Sequence, residues 1–94
     1  ISGITAGKVG DRLRLIGKSR QVICITHLPQ IAATADHHFL IRKKAEGTSL
    51  RTDVEMLDEA ASVEELARLL GGANVTERVM ESAKELKELA KCER

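Results

Sequence analysis

The sequence predicts an α/β fold, and three patterns along its 94 residues support this prediction. Helical periodicity appears near the start and again over the last third of the chain. A continuous apolar run and two predicted strands, the second of which alternates, lie between these helical regions. Because a helix followed by an apolar strand forms the second half of a β-α-β unit, we expect residues 1–94 to form a single α/β fragment. Its elements would be a helix, a buried strand, a β-hairpin and two C-terminal helices.

The first predicted helix covers residues 4–18. Its apolar positions recur at spacings of three and four, which places them on one helical face. These positions are Ala6, Val9, Leu13 and Ile16. Gly7 and Gly10 each disfavour a helix interior by about 1 kcal/mol relative to Ala, so we expect the first turns to be weak. Gly17 is suited to end the helix.

An unbroken run of apolar and β-branched residues follows, over residues 21–26. Because the run does not alternate, it predicts a strand covered on both faces, as in a parallel sheet. Pro29 then suits the first turn of a short helix over residues 30–35. We expect Cys24, within the run, and Phe39, beyond the short helix, to pack in the core.

A β-hairpin is predicted in the middle of the chain, with strands over residues 37–43 and 48–57 and a turn over residues 45–47. In the second strand, Leu, Thr, Val and Met occupy the even positions from 50 to 56, and charged residues occupy the odd positions between them. This alternation is typical of a strand with one buried and one solvated face.

Two helices are predicted to end the chain. Ser62 and Glu65 have the spacing of a capping box, which predicts a helix start at Ser62. The apolar stripe that follows ends at Gly71 and Gly72. The last helix is predicted to begin at Thr76, and its mixed-charge faces indicate a solvated surface helix.

Composition limits the function classes. The 15 basic and 14 acidic residues give a net charge of +1, so the chain has no overall attraction to nucleic-acid phosphates or to an anionic membrane. Phe39 is the only residue among Phe, Trp and Tyr, which leaves no platform for stacking bases.

Cys24 and Cys92 show no paired spacing, as expected for a reduced cytoplasmic setting. No apolar run is long enough for a membrane span. Since the sequence starts at Ile1 rather than Met, we expect an internal fragment of a larger protein.

His27 carries the strongest functional signal. It follows directly on the predicted buried strand, and ligands bind at the carboxyl ends of strands in open α/β sheets. A neutral imidazole can donate one N–H to a phosphate oxygen, and the hydroxyl of Thr26 and the amide of Gln30 can reach the same edge. Position alone leaves open that His27 caps the strand or bonds a loop carbonyl.

Other catalytic patterns are missing from the sequence. His37 and His38 are adjacent and would point to opposite faces of a strand, so they are poorly placed to share a metal ion, and we expect no metal site. The chain has no Gly-x-x-x-x-Gly-Lys-Ser/Thr phosphate loop. No Ser-His-Asp or Cys-His nucleophile arrangement is indicated.

Residues 24–33 read Cys-Ile-Thr-His-Leu-Pro-Gln-Ile-Ala-Ala, and residues 35–38 read Ala-Asp-His-His. This stretch resembles the switch-histidine segment of the RecN family, relatives of the SMC-type ATPases. Ile1-Ser2-Gly3 resembles the end of the D-loop in that family, and residues 63–76 resemble its C-terminal region. The resemblance covers essentially the whole chain.

The resemblance implies the C-terminal part of an ABC-type (P-loop NTPase) ATPase head that acts in recombinational repair of DNA double-strand breaks in the bacterial cytoplasm, associated with the nucleoid. The complete head would bind ATP and Mg²⁺, and two heads would form a homodimer. By this resemblance His27 contacts the γ-phosphate, Ser2 and Gly3 lie near the opposite head, and Thr26 and Gln30 support the site. The expected partners are the N-terminal part of the same head, the second head and, through the parent protein, DNA. The Walker A, signature and Walker B motifs would lie earlier in the parent, so we expect the fragment alone to be inactive.

Two other interpretations stay open. A noncatalytic α/β interaction domain is supported by the mixed-charge last helix and the missing nucleotide motifs. The second interpretation is another ABC-type ATPase, such as a transporter subunit. The Leu-Pro-Gln-Ile-Ala sequence after His27 is closer to that of the RecN family. If the chain stands alone, we expect apolar surface to be exposed where a missing half would dock.

Overall fold

The computed structural model describes residues 2–92, which form helices and one antiparallel β-hairpin. Ile1, the first residue of the segment that resembles a D-loop, lies outside the described residues. The α/β class and the order of the helices around the hairpin agree with the prediction. In chain order the elements are α1 (Gly3–Gly17), α2 (Pro29–Ala32), β1 (Phe39–Glu46), β2 (Ser49–Met56), α3 (Glu59–Gly71) and α4 (Glu77–Cys92).

The buried strand predicted over residues 21–26 is not formed, and that prediction is wrong. Ile23 and Ile25 are each 83% exposed, and Cys24 is exposed as well, so its predicted place in the core is also wrong. A strand exists only through hydrogen bonds to a neighbouring strand. In the described part of the chain, β1 and β2 pair with each other, which leaves residues 21–26 without a partner.

Helix α1 begins where its first side chains can cap it. Ser2 is the N-cap, and its Oγ accepts a hydrogen bond from the backbone N–H of Thr5 at 3.2 Å. The predicted apolar face is only partly covered, because Ala6 is 1% exposed whereas Val9 and Ile16 are 40% and 47% exposed. The helix therefore packs through a narrow strip of small residues.

The short helix α2 begins at Pro29, as the position of proline in a first helical turn predicts. It is shorter than expected, since it ends at Ala32. Its buried residues face α1 on one side and α3 on the other. The helix thus connects the start of the chain to the main core.

The hairpin is closed by a two-residue loop at residues 47–48 rather than by the predicted turn over residues 45–47. Gly47 has φ +59, and Thr48 beside it does not have a positive φ. A positive φ at the first loop position alone is the type II′ arrangement, which suits the twist of paired strands. The register runs from Phe39 opposite Met56 to Glu46 opposite Ser49.

The two faces of the hairpin differ in charge. One face carries cross-strand ion pairs, including Lys44 with Asp53 at 3.7 Å and Arg51 with Glu46 at 2.8 Å. The other face is mostly apolar and exposed, with Lys43 opposite Thr52 at its middle. Phe39 on this face is 51% exposed, so its predicted burial in the core is wrong. The apolar residues of this face are Phe39, Ile41, Ala45, Leu50, Val54 and Met56.

Helix α3 starts one turn earlier than the predicted capping box. Asp58 is the N-cap, and its Oδ1 accepts a hydrogen bond from the N–H of Ala61 at 2.8 Å. The capping-box prediction is wrong because Asp58 supplies an acceptor before Ser62 is reached, and Glu65 pairs with Arg68 instead. The predicted end is confirmed, since Gly72 follows α3 with φ +61.

Helix α4 packs against α3 and completes the core. It begins after Thr76, whose Oγ1 accepts a hydrogen bond from the N–H of Val79 at 3.2 Å, as predicted. One face of α4 is buried, because Val79 and Leu86 pack against a core that includes Ala83 and Ala90. The buried members of that core, drawn from α2, α3, α4 and the residue after α2, are Ala32, Ala33, Val63, Leu66, Ala67, Ala83 and Ala90.

Candidate functional site

His27 lies on the surface, two positions before α2 begins. The Oγ1 of Thr26 accepts a hydrogen bond from the N–H of Leu28 at 3.0 Å, which closes a tight local turn around His27. The His27 side chain makes no hydrogen bond within residues 2–92. Both ring nitrogens are therefore accessible to a ligand.

The hydroxyl of Thr26 is less available to a ligand than the sequence suggested. Its hydroxyl oxygen is used as the acceptor for Leu28, although its O–H can still donate. The residue is half-buried. Its observed role is to shape the turn that presents His27.

Gln30 and Gly3, both predicted to belong to the site, lie together. A Cβ atom placed on Gly3 would be 3.2 Å from Nε2 of Gln30. The glycine leaves room for the amide of Gln30 to rest over the first turn of α1. The structure thus joins a residue of the His27 segment to a residue of the Ser2–Gly3 segment.

The hydroxyl of Ser2 is engaged within its own helix. It accepts from the N–H of Thr5 and donates to Oγ1 of Thr5 at 3.0 Å. This is an ordinary N-cap. The exposed backbone around Ser2 and Gly3 is the part of this segment that can meet another molecule.

The two adjacent histidines occupy different environments. His37 is exposed, whereas His38 is half-buried and its Nδ1 lies 2.7 Å from Oγ of Ser62. Burial, followed by the positive charge of Lys87, lowers the pKa of His38, and the carboxylate of Glu65 opposes this shift. The neutral imidazole is therefore the favoured form.

The His38–Ser62 pair is not an accessible nucleophile. Ser62 is 2% exposed, so no substrate can reach its hydroxyl. No group of three His, Cys, Asp or Glu side chains in residues 2–92 is arranged to hold a metal ion. The pair instead links the base of the hairpin to α3.

The buried polar junction of His38, Ser62 and Lys87 was not predicted from the sequence. His38 and Ser62 lie far apart along the chain, and Lys87 joins them from α4 with only 8% of its surface exposed. A local pattern cannot reveal such a contact, because it depends on how the hairpin meets two helices. The only available signal was the departure of Ser62 from the apolar stripe of its helix.

None of the helices over the described range is both long and apolar enough to cross a membrane. No protein-family model matches the chain.

The curated proteins that we compare with this chain are each named DNA repair protein RecN. The chain is 45% identical to the protein of Vibrio cholerae over 86 residues, which is 92% of this chain and 16% of that protein. It is 44% identical to the protein of Halalkalibacterium halodurans over 96% of this chain. It is 38% identical to the protein of Streptomyces coelicolor over all 94 residues of this chain. Each match again covers 16% of the relative. These matches over almost every position identify the chain as a segment of the RecN family, and it spans 16% of the length of these relatives.

Proposed function

We propose that this chain is the C-terminal segment of the ATPase head of a RecN-like DNA repair protein, and that His27 contacts the γ-phosphate of ATP. The observation that carries the proposal is the exposed ring of His27, without an internal hydrogen bond, at the start of α2. The sequence similarity to DNA repair proteins named RecN supports the assignment to DNA repair.

His27 is suited to detect a phosphate group. A neutral imidazole donates one N–H without adding a charge, so its hydrogen bond depends on whether an acceptor oxygen is in place. Gln30, three positions along the chain, rests its amide over Gly3 and supports the segment that carries His27. An exposed imidazole fits a phosphate oxygen.

The chain provides only part of a nucleotide site. It has no phosphate loop, so the residues that hold most of the nucleotide and its Mg²⁺ belong to the rest of the proposed head. Bound ATP would supply the phosphoryl group that is transferred to water. His27 would hold a proton toward that group and lose its acceptor when the phosphate leaves.

The proposed partners follow from this incomplete site. The remaining N-terminal part of the head would supply the phosphate loop, and a second head would meet Ser2 and Gly3 in a homodimer. DNA would be bound through the parent protein in the bacterial cytoplasm, at the nucleoid. The near-neutral charge of the chain agrees with DNA contacts that lie elsewhere.

The test is ATP binding and turnover by the full-length protein with His27→Ala. Removing one preorganised donor is expected to lower kcat by about a hundredfold or more while ATP still binds. His37→Ala is the matched control, because His37 is also an exposed histidine in the same chain. Unchanged turnover in His27→Ala would reject the γ-phosphate role.

A noncatalytic interaction domain is the second candidate, and the apolar face of the hairpin favours it. Leu50, Val54 and Met56 are 75%, 65% and 61% exposed there, and exposed apolar patches often mark interaction sites. The two candidates separate in the same experiment. An interaction domain predicts that neither histidine variant alters ATP turnover.

A further inference from the structure

Helices α1 and α2 meet at two glycines of α1. A Cβ on Gly3 would lie 3.2 Å from Nε2 of Gln30, and a Cβ on Gly10 would lie 2.9 Å from Cγ2 of Thr34 and 3.2 Å from the carbonyl oxygen of Gln30. A side chain at Gly10 would force the side chain of Thr34 or the carbonyl group of Gln30 to shift. The backbone of α1 thus lies directly against α2.

This contact joins the two groups of residues to which we assign functions. Gly3 is the first residue of α1, next to Ser2, and Gln30 is the second residue of α2. His27 is tied to the start of α2 through Leu28, whose carbonyl oxygen accepts the backbone N–H of Ala32 at 3.0 Å. The backbone of His27 is therefore linked to α2 through a single residue.

We propose that Gln30 is a positioning residue that passes a shift of His27 to the Ser2–Gly3 end of α1. Its carbonyl oxygen rests against Gly10 and its amide rests over Gly3, so both ends of the residue touch α1. Closely packed contacts of this kind transmit displacement because they cannot be compressed. The inference rests on the proposed function, since it couples the γ-phosphate contact to the face of the head dimer.

The first test compares Gly10→Ala with Gly7→Ala in the full-length protein. A Cβ on Gly7 would have no atom within 4 Å, so Gly7→Ala is a matched control on the same helix. We expect Gly10→Ala to lower kcat by about ten- to a hundredfold, as small misplacements of reacting groups do, with the KM for ATP changed by less than about twofold. Gly7→Ala should keep the kcat of the wild type.

A second-site change tests whether the contact itself is responsible. Thr34→Ser removes the Cγ2 atom that blocks Gly10→Ala and keeps a hydroxyl for the bond that Thr34 Oγ1 donates to the carbonyl oxygen of Ile31 at 2.7 Å. We expect the double variant to recover part of the lost kcat. No recovery would contradict the steric basis of the proposal.

Gln30→Ala tests the same coupling if Gly10→Ala does not fold, because this substitution adds no bulk between the helices. It should retain ATP binding, measured with a fluorescent ATP analogue, and lose ATP-dependent self-association, measured by light scattering. Self-association equal to that of the wild type would overturn the inference.

The results also separate this inference from the proposed function. If His27→Ala is inactive while Gly10→Ala and Gly7→Ala turn over ATP equally, the coupling is wrong and the γ-phosphate role stands. If hydrogen exchange in α2 becomes faster in Gly10→Ala without a change in kcat, the contact is only structural and the inference fails. If His27→Ala is fully active, the proposed function fails first.

Discussion

The rings of His27 and His38 lie in opposite environments, and this difference sets what each residue can do. His27 is exposed and makes no hydrogen bond within the described chain, so it can meet a ligand. His38 is turned inward to Ser62, close to Lys87, and burial lowers its pKa. Its main-chain carbonyl oxygen also accepts the N–H of Leu57 at 2.8 Å. His38 therefore closes the open end of the hairpin and fastens it to α3.

The lowered pKa of His38 predicts a pH-dependent stability. Because the folded state disfavours the charged ring, the unfolded chain binds the proton more readily. Stability is complete above the ordinary pKa of 6.5 and falls as the pH drops below it, until the folded ring is protonated as well. We expect the free energy of unfolding of the chain, measured with urea at pH 7.5 and pH 5.5, to decrease over this range.

Two substitutions isolate this effect. His38→Gln retains a polar side chain but does not titrate, so its stability should depend less on pH. His37→Gln alters the exposed neighbour and should preserve the pH dependence of the wild type. Equal pH dependence in all three chains would show that His38 is not the source.

At the scale of elements, helices α3 and α4 form the best-defined unit. Leu66, Ala67 and Ala83 are 0% exposed between them. At the edge of this interface, Glu59 in the first turn of α3 accepts a hydrogen bond from Nζ of Lys91 at 2.8 Å. That hydrogen bond is the largest cause of the lowered pKa of Glu59. Since these charges are exposed, the apolar contacts supply most of the stability.

Leu66→Ala tests how far this unit depends on its core. Removing a fully buried leucine side chain is expected to cost about 2–5 kcal/mol in the free energy of unfolding. Leu70→Ala is the control one turn later, where the side chain is 40% exposed, and it should cost clearly less. Chemical denaturation followed by far-UV circular dichroism measures both. Similar losses would mean that α3 does not pack as described.

At the scale of the whole molecule, the elements are joined in sequence by narrow contacts. α1 lies on α2, α2 touches α3, and α3 packs on α4. Arg14 adds a link from α1 to α4, because its Nη1 donates to the carbonyl oxygen of Ala90 in the last turn at 3.2 Å. Large apolar side chains remain on the surface, as expected for a chain considered alone, and the hairpin face and residues 21–26 hold many of them.

Val54→Thr tests whether the exposed face of the hairpin is covered in the complete protein. In the isolated chain Val54 is 65% exposed, so this β-branched replacement should change the free energy of unfolding by less than about 0.5 kcal/mol. If the face is buried in the full-length protein, the added hydroxyl should cost about 1–3 kcal/mol there. Thermal unfolding of both forms makes the comparison, and equal effects would show that the face stays exposed.

Local patterns were enough to predict most of the elements. The 3.6-residue period of α3 and α4, the alternation in β2, and the effects of Pro29 and Gly72 depend only on nearby residues. The same is true of Thr76 at the start of α4. These predictions agree with the structure.

The candidate site was predictable only in part. His27 stood out because of its sequence context and its resemblance to a known segment, and it is exposed in the structure. The contact between Gly3 and Gln30 was not predicted, and Gly10 was expected to weaken a helix rather than to allow a close approach. A glycine appears the same in sequence whether its missing side chain leaves empty space, as at Gly7, or admits a neighbouring backbone.

The sequence by itself determined where helices and turns form, since periodicity, caps and positive φ angles are local properties. Tertiary structure alone decided whether residues 21–26 become a strand, because a strand requires hydrogen bonds from a neighbour. It also decided that Ser62 bonds His38, which lies 24 positions away. These outcomes depend on which surfaces meet, because the free energy of a contact depends on both of its partners and local sequence describes only one of them.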